Sequence, residues 1–242
     1  SFPVVLSKPV TCTVNRRLFD EYIFNRAKNA GVSFHLNSRV QSLLAENGFI
    51  RGVKVIGGNQ KKETFRAKIV LDAEGVSSRL IKQTSLTPLD PKRLVYAVES
   101  EVENVKDLQY DKIHVFFGKV YAPGFYAWLI PQHDGLAKIG LATNNGNPND
   151  FLKRLIFHHP IASQYLSKIK IKNKEFHSIT LGGPIPKFYS NGFMAMGDVA
   201  SQVKPTTGGG IIFGLRSAII AAQVASLAIN NNDVSGKFLK LY

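Results

Sequence analysis

The segment from Phe193 to Ile211 constrains this chain more than any other. A short apolar run, Phe193 to Met196, reads as a buried strand. It enters Gly197-Asp198-Val199-Ala200, and then Pro205-Thr206-Thr207-Gly208-Gly209-Gly210-Ile211 opens a long apolar helix. Three consecutive glycines at a helix start leave backbone N–H groups uncovered by side chains. A helix N-terminus carries roughly half a positive charge and attracts anionic groups. Glycine also lets a flat ligand lie directly on the backbone. Asp198, at the strand end, is placed to accept hydrogen bonds from ribose-like or ribitol hydroxyls. A glycine turn that merely caps a helix is the plainer reading, but the run is longer than a cap needs.

The helix itself, Ile211 to Ile229, is nearly long enough to span a membrane. It carries Arg216 and Gln223, and Gly214, Ala218 and Ala222 recur every four residues. Small residues in such a row permit close approach, so a buried helix against a sheet is expected. Ser1 to Val10 has neither a basic start nor a long apolar core, so no secretory leader is read there.

Elsewhere the periodicity predicts a helix from Arg16 to Ala30, stopped by Gly31. Strands are expected at Val32 to His35, Val40 to Ala45, Phe49 to Ile56, Glu63 to Arg66 and Lys68 to Ala73. Asn47-Gly48 marks a hairpin between the second and third of these. After about Pro88 four further strands follow, at Leu94 to Val102, Ile113 to Phe117, Phe125 to Ile130 and Leu136 to Ala142. They suggest an antiparallel sheet with one face covered. A helix over Phe151 to Leu166, broken at Pro160, precedes a strand over Lys168 to Leu181. An α/β portion is thus interrupted by a β-rich one and then resumes: a mixed α/β, α+β chain.

The net charge is +14, and the single cysteine, Cys12, excludes an internal disulfide and points to a reducing compartment. Lys168, Lys170, Lys172 and Lys174 alternate with other residues, which would place all four on one strand face. Such lysines protect a sheet edge or bind anions. Arg16, a cation at a helix start, suggests an anionic partner, either a phosphate or Asp20. Tyr126 and Trp128 share one strand face, where they fill a core or line a ligand. Ser78-Arg79 looks like a helix start with serine as its cap. The histidines are scattered and no metal-ligand spacing is present.

Four segments together resemble the geranylgeranyl reductase family of the aromatic-hydroxylase-like flavoproteins. Met196 to Ala200 with Pro205 to Ile211 is similar to its second FAD-contacting motif. Arg16 with Phe19-Asp20 resembles its Arg-x-x-Phe-Asp helix start. Ala73-Glu74-Gly75-Val76-Ser77-Ser78-Arg79 resembles its Asp-Gly motif, with Glu74 in place of Asp. Tyr126-Ala127-Trp128-Leu129-Ile130-Pro131 resembles its Tyr-x-Trp-x-Phe-Pro signature, with Ile130 in place of Phe or Leu. No Gly-x-Gly-x-x-Gly fingerprint occurs near the start, so the segment that seats the ADP half of the cofactor is expected to be missing.

The resemblance implies a Rossmann-like FAD-binding domain, 1–90 with 183–242, interrupted by an antiparallel β-sheet substrate domain, 91–182. It implies FAD, held by Arg16, Glu74, Gly75, Gly197, Asp198, Pro205, Gly208, Gly209, Gly210 and Ile211, with NAD(P)H or a ferredoxin as electron donor. Tyr126, Trp128 and Pro131 would line a pocket for a prenyl lipid, whose C=C bonds are reduced. A cytoplasmic protein touching anionic membranes peripherally fits the basic charge; nucleic acid fits less well. Two alternatives are a flavin-dependent monooxygenase or halogenase, and a non-enzymatic basic binding module.

Overall fold

In the computed structural model of the chain, Val4 and residues 13–132 and 135–242 are described. Cys12 and, Val4 apart, the segment Ser1 to Val10 lie outside the described residues.

Helix α1 (Arg16–Asn29) starts where the Asn15 side chain accepts the Leu18 N–H at 3.2 Å. Arg16 pairs with Asp20 one turn on, at 3.2 Å, and no residue of α1 is buried. Val32 to His35 does not form the expected strand, and no strand pairs with it among the described residues. Phe34 instead packs back on Phe24 of α1, and His35 rests on Phe65.

Strands β1 (Ser38–Glu46), β2 (Phe49–Gly57) and β3 (Lys62–Arg66) form an antiparallel meander. The hairpin turns at Asn47 and Gly48, both with positive φ, as the sequence predicts. Strand β4 (Val70–Asp72) lies parallel to β11 (Phe193–Ala195), which is antiparallel to β10 (Tyr189–Ser190). Strand β11 is buried on both faces. Phe193 and Ala195 meet Leu80, Ile81 and Val199, whereas Met194 meets Ala221, Val224 and Ala228 of helix α4 (Ile211–Asn230). Its unbroken apolar run therefore reflects a sheet covered from two sides.

The remaining strands are β5 (Leu94–Glu103), β6 (His114–Phe117), β7 (Tyr126–Pro131), β8 (Ala137–Thr143) and β9 (Lys170–Thr180). They form one antiparallel sheet in the order β6-β7-β8-β5-β9. Helices α2 (Pro148–His158) and α3 (Ala162–Leu166) cover one face. There Val98, Leu129, Ile139 and Leu141 pack with Leu152, Leu155 and Ile156, each buried side chain contributing roughly 1.5–3 kcal/mol. The chain breaks between the two helices at Pro160, where His159 Nδ1 accepts the N–H groups of Ile161 and Ala162. The other face carries Val95, Ala97, Trp128 and Ala142 with Phe125, Tyr126 and Ile179.

The lysine row does not share one face. Ser100 sits opposite Lys174 and Val102 opposite Ile171, so β9 carries one extra residue there. That bulge reverses the alternation. Lys174 turns to Asn149 of α2 at 2.6 Å, while Lys172 pairs with Glu101 and Glu103 on the opposite face.

Helix α4 is long and apolar enough to cross a membrane by length and composition. Its packed stripe is Ser217, Ala221, Val224 and Ala228, not the row Gly214, Ala218 and Ala222 that the sequence suggests. The reason is the position of its partner: Met194 and the short helix α5 (Gly236–Leu239) meet the other flank. Ile212, Ile219 and Leu227 stay exposed.

Candidate functional site

The carboxyl ends of the parallel strands β4 and β11 lie side by side, joined by the Met196 N–H to the Asp72 carbonyl at 2.9 Å. In open α/β sheets, ligands occupy the crevice outside such strand ends. Two turns leave these ends.

After β11, Gly197 takes φ +70° and its N–H donates to Gln202 Oε1 at 2.8 Å. One tight turn, Gly197–Ala200, carries Asp198 to the start of α4. A Cβ on Gly210 would stand 2.9 Å from Asp198 Oδ1, so the carboxylate lies against the helix N-terminus. Arg16, Asp198, Lys204, His177, Ile179, Gly208 to Gly210 and Ile211 border a cleft of about 710 Å³. Burial pushes the Asp198 carboxyl above its ordinary value, and the Arg16 guanidinium pulls it back down.

The three glycines do different work. Gly208 has φ +71°, and a Cβ there would stand 2.9 Å from Ile179 and 3.3 Å from Phe125. Gly210 is confined by Asp198. A Cβ on Gly209 would meet only the Thr207 hydroxyl at 3.5 Å. Gly209 alone therefore presents bare backbone that the fold itself does not need.

The glycine run is tied to the sheet. The Tyr126 hydroxyl donates to the Thr207 carbonyl at 2.8 Å, and burial raises the phenol above its usual value. Phe125 stacks on Tyr126 at 4.3 Å, and Tyr126 meets Trp128 edge to face at 5.8 Å. An aromatic band thus runs from the glycines onto the open face of the sheet. Pro131 is buried at the far end of β7 and, by strand alternation, on the helix-covered side. Pro205 is exposed in the loop before the glycines.

After β4 the second turn forms another cleft, of about 630 Å³, bordered by Arg39, Asp72, Glu74 and Arg79. Gly75 turns at φ +72°. The Glu74 carboxylate is committed to its own loop: Oε1 accepts from Leu80 N at 2.6 Å and Ile81 N at 3.3 Å, and Oε2 from the Ser77 hydroxyl at 2.9 Å. Ser78 is not a helix cap. It is buried in the left-handed region at φ 49°, and Glu74 caps the short 3-10 turn Ile81–Gln83 instead. Asp72 Oδ1 accepts the Glu74 N–H at 3.0 Å, while Oδ2 is buried with no partner among the described residues. Burial raises this carboxyl to about 6.

The structure therefore gathers Arg16, Asp198, Gly208, Gly209, Gly210 and Ile211, with Tyr126 adjoining through Thr207. It sets Glu74 and Gly75 in a neighbouring turn and Pro131 apart. Sequence reasoning missed His177, Ile179 and Thr207. The period-2 alternation of β9 holds the signal for the first two.

No family model matches the chain. Digeranylgeranylglycerophospholipid reductase 2 of Methanopyrus kandleri is 32% identical over 235 residues, covering 95% of this chain and 59% of that protein. A geranylgeranyl bacteriochlorophyll reductase-like protein from Thermoplasma acidophilum superposes with TM-score 0.86 and 28% identity, covering 93% of this chain and 57% of the other. These likenesses support the geranylgeranyl reductase family for this chain. It spans about three fifths of the reductases it matches. A flavin-dependent brominase shares the fold alone, at TM-score 0.79 and 19% identity over 96% of this chain and 60% of the brominase. The family resemblance read from the four motifs is thereby supported, and the mixed α/β class with its Rossmann-like flavoprotein relatives is borne out. In this chain, the glycine cleft and the aromatic band are continuous through the Tyr126–Thr207 bond.

Proposed function

We propose that this chain forms the flavin-ring and substrate-binding body of an FAD-dependent reductase of isoprenoid C=C bonds. The observation that carries this reading is the junction of the glycine cleft and the aromatic face at Tyr126–Thr207. The residues fit an anionic, planar group. Gly209 leaves open backbone where a side chain would intrude, at the N-terminal end of a 20-residue helix. When bound and reduced by its electron donor, FAD would supply the hydride equivalent, and a proton would complete the addition to the double bond.

The chain's own residues do the rest. Asp198 accepts from sugar-like hydroxyls beside Gly210, and Arg16 balances its charge. Glu74 stiffens the adjoining turn so that Gly75 offers its backbone. Phe125, Tyr126 and Trp128 give an apolar floor that excludes water and holds a prenyl chain. The Tyr126 hydroxyl keeps its proton and donates it in the hydrogen bond to the Thr207 carbonyl, so this phenol orients the glycine run. NAD(P)H or a ferredoxin reduces the flavin. The net charge of +14 favours contact with anionic lipid surfaces, in a cytoplasmic, peripheral setting.

The test is turnover of a geranylgeranyl lipid by the full-length polypeptide with FAD and chemical reductant, followed by mass spectrometry. Gain of two hydrogens per double bond without oxygen uptake supports the reading. Oxygen-dependent hydroxylation or halogenation instead would move the protein to the monooxygenase or halogenase class. Absence of flavin binding would sink both.

A further inference from the structure

The open face of the five-stranded sheet changes character along β5. Val95 and Ala97 lie near the glycine run among apolar neighbours, and Glu99, Glu101 and Glu103 follow on the same face. Glu101 and Glu103 pair with Lys172 at the surface. Glu99 is engaged differently. It stands opposite Gly140 of β8, which stands opposite Trp128 of β7, so the three form one row across three strands. Trp128 Nε1 donates to Glu99 Oε2 at 3.1 Å, and Lys138 Nζ donates to Glu99 Oε1 at 2.6 Å.

The indole lies across the middle residue of that row. A Cβ on Gly140 would stand 2.5 Å from Trp128 Cζ2. A buried indole N–H needs an acceptor. A carboxylate among apolar residues in turn needs a cation or it carries an uncompensated charge. Glu99 meets the first need and Lys138 the second, with their side chains 21% and 31% exposed. Filling a core requires neither group, since phenylalanine over an alanine would do so. Three residue choices therefore serve one aim, the orientation of a single ring.

We infer that Glu99, held by Lys138, is a positioning residue that fixes the Trp128 indole as a rigid part of the apolar pocket floor. The inference rests on the reading of that floor as the seat of the prenyl chain. A fixed floor is worth more to binding than a mobile one, because the ordering cost is met before the ligand arrives.

The experiment uses Glu99→Leu, Glu99→Gln and Lys138→Met in the full-length polypeptide with FAD. Trp128 is the one tryptophan of these 242 residues, and its emission is taken as the difference from a Trp128→Phe variant. Acrylamide quenching of that signal is expected to rise several-fold in Glu99→Leu and clearly in Lys138→Met. Glu99→Gln, which keeps an oxygen acceptor for the indole, restores most of the protection. The KM for a geranylgeranyl lipid should rise about five- to tenfold in Glu99→Leu with kcat little changed. Unchanged quenching in both Glu99→Leu and Lys138→Met overturns the clamp, whatever the substrate proves to be. A loosened indole with unchanged KM overturns its place in the pocket. If the parent reduces no prenyl lipid, the quenching series still decides the clamp, and the failure belongs to the proposed activity.

Discussion

Alanine at each of the three consecutive glycines separates what the fold needs from what a ligand needs. Gly208 has φ +71°, where a side chain costs roughly 1–2 kcal/mol. Its Cβ would also press on Ile179 at 2.9 Å and Phe125 at 3.3 Å, an overpacking term of about 1–3 kcal/mol. Gly208→Ala is thus expected to destabilise by about 2–5 kcal/mol. For a chain of this size that lowers Tm by roughly 4–20 °C. Gly209 lies outside the positive-φ region and its Cβ would touch only a hydroxyl at 3.5 Å. Gly209→Ala should leave Tm within about 2 °C, since exposed substitutions are usually within roughly 0.5 kcal/mol. Gly209 borders the cleft, so a methyl group there is expected to lower flavin affinity at least tenfold. Thermal melts and titration of flavin absorbance measure the two effects separately. If Gly209→Ala melts as early as Gly208→Ala, or binds flavin as well as the parent, the division of roles is wrong.

Other outcomes follow from single groups. Asp72 has its folded pKa raised by burial to about 6 from 3.8, so the folded state binds the extra proton between those values. Stability of the chain should therefore fall as pH rises from about 4 to about 6, and Asp72→Asn should flatten that slope in denaturant melts. A slope of the opposite sign would refute it. Removing Asp198 as an acceptor, by Asp198→Ala, is expected to weaken flavin binding about tenfold, read from absorbance titration. Arg16→Ala should push the Asp198 carboxyl further up, because burial then acts unopposed; NMR titration of the carboxyl carbon tests this. Vesicles with anionic headgroups should sediment the protein at low salt, and neutral vesicles should not; equal binding to both would remove membrane docking from the proposal.

Much of the candidate site's geometry was legible because its signals are local. A glycine run at a helix start, an Asn-Gly hairpin and an i, i+2 aromatic pair each declare their geometry within a few residues. What escaped was settled by partners distant in the chain. The bulge that parts Lys172 from Lys174 depends on how β9 aligns with β5. Glu74 turned to its own loop because Leu80 and Ile81 present N–H groups to it, which spacing alone did not suggest. The stripe by which α4 packs was set by Met194 and not by the smallest residues on the helix. Gly140 and Glu99 carry no motif at all; only strand register brings them beside Trp128.

The hydrogen bond from Tyr126 to Thr207 has a thermodynamic corollary. It makes the backbone of the glycine run and the aromatic floor parts of one object. A ligand seated on the glycines that shifts the Thr207 carbonyl must also bias the ring that carries the hydroxyl. Linkage is reciprocal, so a prenyl chain on the floor must then change flavin affinity by the same factor as flavin changes its own. Tyr126→Phe would uncouple the two sites while leaving the ring in place, and the two affinities would become independent of each other.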